Sequence, residues 1–117
     1  EIRSRTSHAL GVETVGGRFF TLIPSNRKTP CEVRQFFGTD TDDTTSLDIN
    51  VYQGASKWVK GNSLIGTLQI RDLPKCPKGV LDIEVTFKVS EDQTLSALVC
   101  IDCNGDRIEY EKTFTFT

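Results

Sequence analysis

The chain has 117 residues, with 14 Lys and Arg against 16 Asp and Glu for a formal charge of −2, and 37% of its residues are apolar. That length fits one domain able to bury a core without metal or disulfide staples, and the balanced charge offers no bulk attraction for nucleic acid or an anionic membrane surface, so neither is expected as a partner. No apolar run approaches the ~18 residues that span a bilayer, and the opening EIRSRTSHA lacks the apolar centre of a secretion signal, so the chain reads as soluble. Glu1 in place of Met, and a strand-like last segment at 113–117, read as a piece cut from a longer polypeptide.

In chain order, residues 10–23, LGVETVGGRFFTLI, come first. Gly16-Gly17 interrupts a β-favouring run there, and a Gly pair permits positive φ or close approach of another chain, while Val12, Thr14 and Val15 favour extended backbone. The reading is a re-entrant loop between two strands, extended over 18–23, where a peptide could be held. Further strands are predicted over 32–37, through the alternation of Leu47, Ile49 and Val51, over 64–70, and through Ile83, Val85, Phe87 and Val89. The last two run over 95–101 and 107–116, where Ile108, Tyr110, Phe114 and Phe116 keep one parity. Turn signals fall between them at 24–26, 38–45, 53–54, 61–62, 74–79, 90–93 and 104–105, with Asn104-Gly105 reading as a primed hairpin turn. Short strands at this spacing without a helical period predict an all-β fold, an antiparallel β-sandwich of about eight strands.

Chemistry-bearing residues are sparse. Cys31, Cys76, Cys100 and Cys103 do not make the dense framework of a small secreted fold, so free thiols are expected. Cys100 and Cys103 have C-x-x-C spacing, but at a strand end rather than the helix N-terminus that lowers a thiol pKa, and no second such pair exists to complete a zinc site. His8, the only histidine, lies in a frayed-looking segment without a nucleophile near it in sequence, which argues against a catalytic triad. The acidic stretch Asp40, Asp42, Asp43 lacks the Gly and Glu of a calcium loop, with Thr45 and Val51 at those positions, and reads as a solvated turn. No glycine-rich phosphate-cradling motif is present. This chain is therefore expected to be no enzyme and to carry no cofactor or metal.

What a sandwich offers a partner is strand edge and groove, and an extended chain fits both. Backbone hydrogen bonds of about 0.5–1.5 kcal/mol each, with one Leu-like side chain buried for about 1.5–3 kcal/mol, reach about −8 kcal/mol before ordering costs.

With these residues in place, the sequence resembles the β-sandwich substrate-binding part of the 70-kDa heat-shock chaperones, the DnaK-type family. The resemblance is carried by LGVETVGG at 10–17, TLIPSN at 21–26 followed by Pro30, INVYQG at 49–54 and LPKCPKGVLDIEVTF at 73–87. It implies a domain over 9–117 with peptide-binding loops at one end, residues 1–8 being the end of an interdomain linker or a cut boundary. It further implies an ATPase domain, with ATP and Mg, and a helical lid, both outside this chain. The implied ligand is an extended, apolar-centred segment of unfolded polypeptide, released on ATP binding in the absent domain. The implied partners of the whole protein are J-domain co-chaperones and nucleotide-exchange factors.

Residue by residue, Val12, Phe37, Leu47, Ile49 and Ile83 match the walls and floor of the family's central pocket, with Leu47 at the floor. Thr14, Gly38 and Thr39 match positions beside the peptide backbone, and Val15 with Asp40 matches the pair arching over it. Asp42 and Lys78 match the latch that holds the lid. Three departures stand out. Asp40 is a carboxylate where the family has Ala or Tyr, which disfavours closing an apolar arch or favours basic flanks. Lys78 replaces an Arg and loses its planar fork. Residues 1–8 also lack the leucine run of the family's interdomain linker. The alternative to a peptide-binding module is a non-catalytic scaffold or a degenerate paralogue that has lost its peptide. Four free thiols would fit a reducing compartment, and a cytoplasmic location is the expectation.

Overall fold

Alternating burial along the chain builds eight strands: β1 (Leu10–Thr14), β2 (Arg18–Ile23), β3 (Cys31–Phe37), β4 (Leu47–Gln53), β5 (Ser63–Ile70), β6 (Asp82–Val89), β7 (Thr94–Cys103) and β8 (Asp106–Thr115). A 3₁₀ turn, Val59–Gly61, lies between β4 and β5. The structure, a computed structural model, describes residues 5, 6, 8–38, 45–73, 75–77, 80–92 and 94–115.

The strands form two four-stranded antiparallel sheets, ordered β2-β1-β4-β5 and β3-β6-β7-β8. The predicted all-β sandwich of about eight strands is the observed architecture. Side chains two apart share a face, so Leu10, Val12, Val51, Leu68 and Ile70 point from one sheet at Ile83, Val85, Phe87, Leu95, Ala97, Val99 and Ile101 of the other. Phe87, Leu95, Val51 and Val99 are sealed from solvent in this core. The pairs Phe37↔Ile83, Leu47↔Ile70 and Ile83↔Ile101 align the strand ends. They bring the β1–β2 turn, the end of β3, the start of β4, the end of β5, the start of β6 and the β7–β8 turn to one end of the sandwich. The β7–β8 turn has Asn104 at φ 52° and Gly105 at φ 95°, the two positive values of the predicted primed hairpin.

Three expectations are corrected. Residues 10–23 are not a loop between strands but two paired strands in a hairpin, with Val12 opposite Phe20 and Thr14 opposite Arg18. The Gly pair supplies only its turn, at φ 83° and 75°. Before β1, Thr6 is anchored rather than frayed: it is buried, its N–H donates to the Arg27 carbonyl at 2.9 Å, its hydroxyl donates to the Pro24 carbonyl at 2.8 Å, and its carbonyl accepts from the Asn26 N–H at 2.6 Å. Nor are all four cysteines free. Cys76, in the β5–β6 crossover, forms a disulfide with Cys103 at the end of β7, their Cα atoms 6.3 Å apart, while Cys31 and Cys100 remain thiols. The C-x-x-C pair cannot close on itself because residues three apart on a strand face opposite sides. That disulfide also removes the support that four thiols lent to a cytoplasmic location. Among the described residues, no helix is long and apolar enough to cross a membrane.

Candidate functional site

Inward-facing side chains are sealed in mid-sandwich, and at the end where the loops gather some are sealed while others keep solvent access. Val51 is 0% exposed, whereas Ile49 and Leu47, further along the same face of β4, are only half-buried. Phe37, at the end of β3, is also half-buried, and Phe20 on β2 is 38% exposed. Phe20 and Phe37 meet edge to face across the two sheets, ring centroids 5.3 Å apart at 76°. Val12 lies beside Phe20 in register, and Ile83 beside Phe37. Five residues predicted for the pocket, Val12, Phe37, Leu47, Ile49 and Ile83, thus fall on the two inner faces, the first and last of them buried.

Hydrogen bonds on the outer face hold this opening in shape. Asn50 on β4 donates its amide to the Glu13 carboxylate on β1 at 3.0 Å and accepts from the Thr67 hydroxyl on β5 at 2.8 Å, tying three strands in register beneath Val12 and Ile49. The start of β4 is pinned by Arg71, which pairs with Asp48 at 2.7 Å and donates to the Ile70 carbonyl at 3.1 Å. The Leu73 N–H donates to the Thr45 carbonyl at 2.9 Å. Leu47 therefore sits on a braced backbone.

At the hairpin tip, Val15 is 79% exposed, an apolar side chain turned to solvent. Thr14 is half-buried, its hydroxyl donating to the Arg18 carbonyl at 3.4 Å, and Gly38 is exposed directly after β3. Thr39, Asp40, Asp42 and Lys78 lie outside the described residues, so the arch partner and the latch have no structural account.

Two features were missed in the sequence. Phe20 stands beside Phe19, and an adjacent pair offers an aromatic to either face; only the register assigns Phe20 inward. Trp58, the chain's single tryptophan, lies in a connecting stretch without periodicity. It bridges to Arg18 on the edge of β2 away from β1, with the Arg18 guanidinium 5.5 Å and the Lys57 ammonium 5.9 Å from its ring centroid.

In class, this is an antiparallel β-sandwich whose inner apolar face is open at the loop end. Residues 3–102 match the family described as Hsp70 protein, and the chain belongs to that family. It is 43% identical over 84 residues, 72% of its length, to heat shock protein SSC3, mitochondrial, of Saccharomyces cerevisiae. To the chaperone protein dnaK of Thalassiosira pseudonana it is 41% identical over 91 residues, 78% of its length. To heat shock cognate 70 kDa protein 3 of Dictyostelium discoideum it is 38% identical over 88 residues, 75% of its length. These matches span only 13%, 15% and 14% of the respective relatives.

Proposed function

We propose that this chain is the substrate-holding sandwich of an Hsp70-type chaperone and that an extended, apolar-centred segment of unfolded polypeptide lies across its open end. The observation that carries this reading is the unsealed inner face: Phe20, Phe37, Leu47 and Ile49 point inward yet keep solvent access, while Val51 on the same face keeps none. One guest side chain entering there removes apolar surface from water on both partners. Val15 would reach over the guest and Thr14 would run beside its backbone. Catalysis has no part in this role. ATP with Mg, J-domain co-chaperones and nucleotide-exchange factors would act on the whole protein through a domain outside this chain.

The test is a fluorescence anisotropy titration with a labelled Leu-centred peptide and a Ser-centred control. Binding of the first at a Kd of about 1 μM, the scale of −8 kcal/mol, with weak binding of the second is the expected result. A chain that ignores both is a scaffold or a paralogue that has lost its guest.

A further inference from the structure

The edge of β2 away from β1 carries a cleft of about 180 Å³ lined by Arg18, Phe19, Lys57 and Trp58. Its backbone is fixed before any ligand arrives. The Phe19 N–H donates to the Lys57 carbonyl and the Val59 N–H to the Gly17 carbonyl, both at 2.9 Å. Asn62 clasps the same connection from within, accepting from the Ser56 N–H at 3.0 Å and donating to the Ser56 carbonyl at 2.8 Å. Two cations are thereby held around one indole ring, 5.5 and 5.9 Å from its centroid.

Neither cation has a carboxylate partner among the described residues, whose ion pairs are Arg34–Glu84, Arg71–Asp48 and Arg107–Glu109. The nearest acid in register, Glu13, is opposite Phe19, and its carboxylate is engaged by the Asn50 amide at 3.0 Å rather than by Arg18 or Lys57. Arg18 shares its face with Phe20, two residues on, which lines the apolar opening. A guest that left that opening past Arg18 would meet this guanidinium first and, across the Trp58 ring, the Lys57 ammonium. A carboxylate is the group that suits them, accepting from the guanidinium and the ammonium together.

We propose that Arg18 and Lys57, backed by Trp58, form a flank subsite that favours an Asp or Glu side chain next to the apolar core of the held segment. This rests on the peptide-holding reading above and adds to it a charge preference in the guest. It runs against one of the two expectations that Asp40 raises, a preference for basic flanks, and leaves the other, an arch that does not close, untouched.

The experiment compares three Leu-centred peptides, acetylated and amidated so that no terminal charge competes, flanked by Glu, Ser or Lys, on the native chain and on the double variant Arg18→Gln/Lys57→Gln. Expected is roughly fivefold tighter binding of the Glu-flanked peptide than of the Ser-flanked one at low salt, the upper end for an exposed charge pair. The advantage should fade at about 0.5 M salt, where screening is short-ranged. In the double variant the Glu-to-Ser ratio of affinities should fall to about one, while the swap Arg18→Lys/Lys57→Arg, which keeps both charges, should retain the preference. Trp58 gives a second readout, since only a guest reaching the cleft should shift its emission. Equal affinities, a preference for Lys flanks, or a Glu preference that survives loss of both charges would overturn the subsite alone. Failure of every Leu-centred peptide to bind would overturn the peptide-holding reading, and the subsite with it.

Discussion

Leu47 and Val51 stand on one face of one strand, and their difference in exposure separates binding from packing. Leu47 is half-buried at the open end and Val51 is sealed. Leu47→Ala should therefore cost little stability but enlarge the floor, weakening a Leu-centred peptide by roughly tenfold while a Phe-centred peptide loses less; paired titrations and a urea melt check this. Equal losses for both peptides would remove Leu47 from the floor. Cys31 responds to pH in a different way. Burial pushes its thiol above the ordinary value, and the weaker pull of Arg27 does not offset this. With less thiolate at neutral pH, Cys31 should be alkylated more slowly than free cysteine. Its raised folded pKa also means a stability contribution that is full below the ordinary thiol value and lost as pH climbs through the folded one. Cys31→Ser should flatten that alkaline decline.

The β1–β2 hairpin uses its glycines in two physically different ways. Gly16 at the turn has φ 83° with nothing within reach of an added Cβ, so Gly16→Ala should cost about 1 kcal/mol from backbone conformation alone. Gly11 lies inside β1, where an added Cβ would overlap the backbone carbonyl of Phe20. Backbone cannot step aside as a flexible side chain can, so Gly11→Ala should cost about 2 kcal/mol or more and disturb Phe20 with it. Urea denaturation of both variants checks the order, and similar losses would mean that the strands spread without penalty. The turn glycines were legible because a Gly pair between β-favouring residues has few other uses. Gly11 was not, since its constraint comes from the neighbouring strand.

At the scale of the whole molecule, the Cys76–Cys103 disulfide ties the crossover between the two sheets to the end of β7. In denaturant without reductant, a thiol reagent should count two cysteines per chain, Cys31 and Cys100, and four after reduction. Cys103→Ser should lower stability by about 2–4 kcal/mol, as for loops of this size. The sandwich itself was legible from alternation: Ile83, Val85, Phe87 and Val89 admit one buried face, and so do Leu47, Ile49 and Val51. The pairing of cysteines was not, because it joins a crossover residue to a strand end 27 positions away, and spacing holds no trace of that proximity. Of the residues expected at the site, Val12, Phe37, Leu47, Ile49 and Ile83 lie on inner faces, as the alternation along their strands implies. Phe20 and Trp58 escaped because their positions depend on register across β1 and β2 and on a bridge from an irregular segment.

The same disulfide changes what the domain is under mechanical load. It closes a ring containing β6 and the whole of β7, so tension applied at the two termini passes from Cys76 to Cys103 through sulfur. Pulled to full length, the oxidised chain would come up short by about 90 Å, the extended reach of the bypassed residues, relative to the reduced one. Two central strands of one sheet would then stay slack while the rest of the chain is drawn taut.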